Sequence, residues 1–221
     1  MQPHSQLLAV SKAISRFFVI MVSYKLTYFN RRGRAEPIRY LFAVADVPFE
    51  DHRIDEKEEW PSIKASPSSR YVLGQVPVLE VDGEVVQQSK SIFRFLGREF
   101  GFDGDSSWDR LQIDSIIETL NDLENEGRKV SREKNAEKKE KLLQNYLQVV
   151  LRRIFGFLES ILVGNEGGNG FLVGKKMSIA DIMFFTHVHD YLGFIPEANL
   201  TEPKLLLLYE RIKSNPRLLD G

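Results

Sequence analysis

The sequence predicts two domains, a small α/β domain followed by an all-helical bundle, and three observations predict it. Between residues 21 and 101, strand-like and helix-like segments run in the order β-α-β, then an irregular link, then β-β-α. From residue 106 onward the apolar spacing is helical and strand-like alternation does not recur. The 221 residues are 43% apolar, enough to fill the cores of two small domains. Charge is balanced, 30 basic residues against 31 acidic, so no global field draws the chain to nucleic acid or to a membrane surface. There is no cysteine, which excludes disulfides, thiolate metal sites and a protein thiol nucleophile.

The elements of the first domain follow from local pattern. "VSYKLTYF" (22–29) alternates and is rich in aromatic and β-branched residues, so it reads as a strand. After the basic loop "NRRGR", "AEPIRYLFAVA" has helical periodicity, with Pro37 tolerated in the first turn. "FEDHRI" (49–54) is a second short strand. The stretch from Asp55 to Leu73 carries Pro61 and Pro67 and is expected to be irregular, with one helical turn near Trp60. "VPVLEV" and "EVVQQ" flank Asp82-Gly83, a strong hairpin signal. "SKSIFRFLGREFG" is an amphipathic helix closed by Gly101. A parallel βαβ unit joined to an antiparallel hairpin and a packing helix is a thioredoxin-like layout, consistent with the right-handed crossover rule.

The second domain, 106–221, begins with a helix N-capped by Ser106 and carrying the stripe Ile113, Ile116, Ile117, Leu120 and Leu123. The charged stretch to Lys141 reads as a solvated face and loop. A second long helix sets Leu143, Leu147, Val150, Ile154, Phe157 and Ile161 at helical spacing. "GNEGGNG" breaks it, and "MSIADIMFFTHVHDYL" is apolar nearly all round, as a buried central helix must be. Ser178 and Asp181 read as its capping box, with aspartate in place of glutamate. "PKLLLLYERIKS" is a last helix. Residues 1–20 are basic, lack acids and are too short in apolar run to span a bilayer. They read as a dispensable extension rather than a mitochondrial signal.

Chemistry is expected where strands end. Tyr28 closes the first strand, and ligands of α/β sheets gather at such ends. A phenol there can donate to a thiolate and lower the pKa of the thiol, which in a chain without cysteine must belong to a ligand. Pro77 stands at the mouth of a strand, where an X-Pro bond that turns tightly would expose Val76's backbone to an extended peptide. Gln88-Ser89 opens the next helix, where free N–H groups and the helix dipole favour a carboxylate. Asp114, Glu118, Asp122 and Glu126 recur every four residues, an acidic stripe that calls for a cation, either a ligand amine or arginines of a partner subunit. His187-Val-His189 has the only metal-like spacing, but residues two apart on a helix do not share a face, and no metal is expected.

Together "YKLTYFNRRGRAEPIRYLFA", "EEWPSIK", "GQVPVLEVDG", "QQSKSI", "ETLNDL" and "GFLVGKKMSIADI" resemble a sigma-class glutathione transferase, a group that includes the glutathione-dependent haematopoietic prostaglandin D synthases. The resemblance runs in order from Met21 to near the C-terminus. It implies a thioredoxin-like domain plus a helical domain in a cytoplasmic homodimer, with glutathione as co-substrate and a small electrophile as the second substrate. By resemblance Tyr28 holds the glutathione thiolate, flanked by Phe29 and by Arg34, whose charge lies near the sulfur. Trp60 and Lys64 match residues holding the glycine end, while Gln75 and Val76 contact the cysteinyl part beside a cis Pro77. Gln88 and Ser89 match binders of the γ-glutamyl carboxylate. Asp122 matches an acid that reaches across the dimer to the γ-glutamyl amine. The chain departs from the prostaglandin synthases at Asn121, where they have an aspartate of a metal-linked cluster. It departs again at Lys129, aligned with a tryptophan lining their second-substrate pocket. The expected activity is conjugation of the glutathione thiolate to small electrophiles. A prostaglandin isomerase and a non-enzymatic structural descendant, like the transferase-derived lens crystallins, are the alternatives.

Overall fold

The computed structural model describes residues 22–66 and 70–219; the N-terminal extension and Pro67 lie outside the described residues. A four-stranded sheet holds strands β1 (Tyr24–Phe29), β2 (Glu50–Ile54), β3 (Val78–Val81) and β4 (Glu84–Gln87) in the order β2-β1-β3-β4. β1 runs parallel to β2, with Tyr28 opposite Arg53, and antiparallel to β3, with Thr27 opposite Val78. Helix α1 (Glu36–Ala45) is the crossover between the parallel strands. The β3–β4 turn has positive φ at both Asp82 (50°) and Gly83 (89°), as a two-residue hairpin of matching twist requires. Asp82 also fastens the start of β1. Its carboxylate accepts from Ser23 N–H at 2.8 Å, and its own N–H donates to the Ser23 carbonyl at 3.0 Å.

Helix α2 (Trp60–Ala65) is the short helix expected near Trp60, and α3 (Ser89–Glu99) packs Ile92, Phe93 and Leu96 onto the sheet. Pro77 lies just outside β3, so the strand loses no ladder bond to it, and the Val76–Pro77 bond is cis.

The helical half starts with α4 (Ser107–Arg132), capped as expected. Asp109 N–H donates to Ser106 Oγ at 3.1 Å and Ser106 N–H to the Asp109 carboxylate at 3.0 Å. All five residues of its expected stripe are buried, each worth about 1.5–3 kcal/mol relative to exposure. The helix continues past the expected stop, and the charged stretch read as solvated face and loop forms its last turns and then α5 (Ala136–Asn145).

A π-helical turn, Tyr146–Leu151, joins α5 to α6 (Arg152–Gly164). It corrects the expected apolar stripe of that helix. The wider turn advances the helix phase, so Phe155, Leu158 and Leu162 go into the core while Phe157, expected inside, is 44% exposed. Helix α7 (Ile179–Thr186) is buried on every side, and Asp181 accepts from Ser178 N–H, Ser178 Oγ–H and Leu172 N–H, each at 2.8 Å. A second π-turn, His187–Tyr191, and a 3-10 turn, Leu192–Phe194, extend α7, before α8 (Pro203–Lys213) and the short α9 (Pro216–Leu219). The two halves meet where Ile179 N–H donates to Phe102 O at 2.8 Å and where Gly97 of α3 admits Ile179; a Cβ on Gly97 would stand 2.8 Å from Ile179 Cγ2. Among the described residues, no helix is long and apolar enough to cross a membrane.

Candidate active site

The site begins at the carboxyl end of β1. Alternation along the strand buries Leu26 and Tyr28 on one face, leaving the Tyr28 ring 4% exposed. The chain then turns through Asn30–Arg34 so that Arg34 N–H donates to Tyr28 Oη at 3.3 Å. Gly33 makes this approach possible: its φ is 149°, and a Cβ there would stand 2.9 Å from the hydroxyl oxygen. The Arg39 guanidinium lies 5.8 Å from the centre of the Tyr28 ring, and the Phe29 ring lies 5.3 Å from it. Phe29 meets Trp60 edge-on at 5.7 Å, and Trp60 meets Tyr71 at 5.6 Å, which links α2 to the strand end.

Two connected hollows open here. A cleft of about 450 Å³ between the sheet end and the helical half is lined by Tyr28, Phe29, Arg34 and Val76 on one side. A small corner joins Arg34, Gln75, Val76, Pro77, Gln88 and Ser89. Thus nine of the eleven sequence-expected residues, including Trp60 through its contact with Phe29, are brought together. Lys64 lies close by, its stem against Gly74. Gln88, not Ser89, is the N-cap residue of α3; its side chain makes no capping bond, and Ser89 is the first helical residue. Gln88 sits at φ 80°, a conformation that costs a non-glycine residue on the order of 1–3 kcal/mol. The corner therefore presents first-turn N–H groups and a serine hydroxyl that no side-chain cap occupies, an arrangement suited to a carboxylate.

Asp122 lies apart: it is exposed on α4 and lines neither hollow of its own chain. The acidic stripe around it is largely satisfied internally, which narrows the expected search for a cation. Arg94 of α3 binds Asp114 at 2.7 Å and also Glu118, and Lys129 binds Glu126 at 2.6 Å. Of the four carboxylates, Asp122 alone has no hydrogen bond or ion pair among the described residues. The two histidines diverge, as expected. His187 is buried, its Nδ1–H directed at Met183 O at 2.8 Å, and burial holds its pKa below the ordinary value. His189 bonds Tyr209 Oη at 2.9 Å.

Sequence reasoning missed the opposite wall. The last two turns of α4 supply Glu124, Gly127, Arg128, Ser131 and Arg132, and the turns after α7 supply Leu192, Phe194 and Ile195. Their 3-4 spacing was the available signal, hidden in a run of charges. Lys129, aligned with a pocket-lining position, points the other way, to Glu126. Gly127 keeps the cleft open: a Cβ there would sit 3.4 Å from both Ile195 Cδ1 and Tyr146 Oη. Burial pushes the Tyr146 phenol up to about 12, so it stays protonated as a donor on the cleft wall.

The glutathione S-transferase N-terminal domain model matches residues 24–98, and the C-terminal domain model matches residues 121–220. The chain is similar to S-crystallin SL11 of Nototodarus sloanii, 38% identical across 90% of this chain and 94% of that protein. It is 35% identical to the hematopoietic prostaglandin D synthase of Homo sapiens, over 90% of this chain and 95% of the relative. Among solved structures, the glutathione S-transferase Na-GST-3 of the hookworm Necator americanus, described as monomeric, superposes with a TM-score of 0.77 at 34% identity, covering 90% of this chain and 95% of that one. A thioredoxin-like sheet ending in a buried tyrosine, an anion-suited corner beside it and a helical domain closing the cleft agree with these matches: the chain belongs to the glutathione S-transferase family.

Proposed function

We propose that this chain conjugates the thiolate of bound glutathione to small electrophiles, as a sigma-class member of its family. One observation carries the reading: Tyr28 Oη accepts the Arg34 amide at 3.3 Å, so its own proton is free to be donated towards the cleft. A donor aimed at a thiolate stabilises the charged form and raises the nucleophile's population near neutral pH. Arg34, exposed on the same rim, adds positive charge. The corner takes the rest of the tripeptide. Gln75 and Val76 offer backbone groups to the cysteinyl part, Gln88 and Ser89 receive the γ-glutamyl carboxylate, and Trp60 and Lys64 hold the glycine end. Thiolate attack forms the C–S bond as the electrophile's leaving group departs or its π pair moves away; no metal takes part.

The protein acts as a homodimer in this reading, and Asp122 of each subunit binds the γ-glutamyl amine in the other's site. The unpartnered carboxylate on an otherwise satisfied stripe supports that role. We also place the protein in the cytoplasm.

Turnover of 1-chloro-2,4-dinitrobenzene with glutathione, measured beside turnover of prostaglandin H2, tests the function. Conjugation is expected. Isomerisation without conjugation would favour the isomerase reading. Neither reaction, with glutathione still bound, would favour a structural descendant of the crystallin kind.

A further inference from the structure

The cleft is more cationic than a neutral electrophile requires. Arg31, Arg32, Arg34, Arg128 and Arg132 face it, against one carboxylate, Glu124. Three of these arginines are already committed. Arg31 binds Glu56 at 3.0 Å, Arg32 binds the buried Asp190 at 2.5 Å, and Arg128 binds Glu124. The side chains of Arg34 and Arg132 have no hydrogen bond or ion pair among the described residues. Arg34 shares a small hollow with Glu124 and Ser89, at the glutathione end. Arg132 lies eight residues farther along α4 than Glu124, roughly 12 Å at 1.5 Å per residue. The surface around that wall is apolar: Tyr146, Leu192, Phe194 and Ile195.

We propose that the electrophile of this cleft is amphipathic, an apolar body carrying a carboxylate, and that Arg132 pairs with the carboxylate while the electrophilic carbon faces the thiolate. The inference rests on the glutathione reading and adds the charge of the second substrate. An arginine in the last turn of a helix also complements the helix dipole. That role alone would give no preference between charged and neutral substrates, so the preference is the quantity to measure.

A suitable probe pair is ethacrynic acid and its carboxamide, which share one conjugated ketone and differ in charge. The thiolate adds to the terminal alkene carbon, forming the C–S bond. The π pair moves onto the carbonyl oxygen, and the enolate carbon then takes a proton from water. The remote carboxyl group takes no part in bond making.

The wild-type protein is expected to favour the acid in kcat/KM, and Arg132→Met to lower the acid-to-amide ratio about three- to tenfold, the range for a rim arginine pairing with a carboxylate. The preference should shrink as ionic strength rises. Lys129→Met removes the same charge from the outer face of α4 and should leave the ratio in place, which separates a local contact from a general field. An equal ratio in wild type and Arg132→Met overturns the proposal. Calorimetric titration of the two pre-formed glutathione conjugates repeats the comparison without catalysis. If neither probe turns over but the acid conjugate binds more tightly through Arg132, the conjugation reading fails while the pairing of Arg132 with a ligand carboxylate stands. Equal affinities for the two conjugates overturn it.

Discussion

At the scale of the residue, the proposed chemistry depends on a few contacts around Tyr28. Tyr28→Phe removes one aimed donor and little volume, so glutathione affinity should hold while kcat falls about 10²–10³-fold. A spectroscopic titration of bound thiolate should show its pKa rising towards that of free glutathione; a wild-type rate would reduce Tyr28 to a packing residue. Gly33→Ala tests the same contact from the other side. The new methyl would meet Tyr28 Oη at 2.9 Å, from a backbone conformation that L-residues rarely adopt. We expect a loss of about 1–3 kcal/mol in denaturant midpoints together with a lower kcat. Unchanged values in both would show that the loop accommodates a side chain. Ser89→Ala should mainly weaken glutathione binding, by about 1.5–3 kcal/mol for a lost bond to a charged group, and calorimetry reads this directly.

At the scale of the element, what the sequence made legible depended on what kind of signal each position carries. The α4 stripe and both capping boxes follow from periodicity and short-range chemistry, and both are found in the structure. The phase of α6 was not legible in full, because a single π-turn brings Phe155, Leu158 and Leu162 onto the core face beside Ile154, turns Phe157 off it, and leaves no compositional mark. The corner proposed for glutathione was legible in Tyr28, Pro77, Gln88 and Ser89, residue types that are common singly at strand and helix ends but informative when the fold sets them side by side. The opposite wall of the cleft was not, because Arg128 and Arg132 look like ordinary solvated charges until the π-turn after α5 and the turns after α7 are placed against them. One element prediction follows from the central helix. Asp181→Ala leaves the Ser178 and Leu172 amides buried without an acceptor, and should destabilise the protein by about 2–4 kcal/mol. Thermal or urea unfolding measures this, and a loss under 0.5 kcal/mol would mean that water replaces the carboxylate.

At the scale of the whole molecule, the proposed homodimer completes each site with residues of two chains. Asp122 faces solvent within its own chain, so in a homodimer a mixture of Tyr28→Phe and Asp122→Ala subunits should regain activity on exchange. One heterodimer site then carries both lesions and the other carries none. Verified exchange without recovery would confine Asp122 to its own subunit, or remove it from glutathione binding. The Ser23–Asp82 clasp has a practical consequence of its own. It fastens β1 at the end away from Tyr28, and the four steps from Tyr24 to Tyr28 span roughly 13 Å. An affinity handle, fluorophore or solid support attached ahead of Val22 therefore joins the described fold at the end of β1 opposite Tyr28. Immobilised through that end, the protein should keep its catalytic mouth open to solution, which makes it suited to flow assays of electrophile libraries.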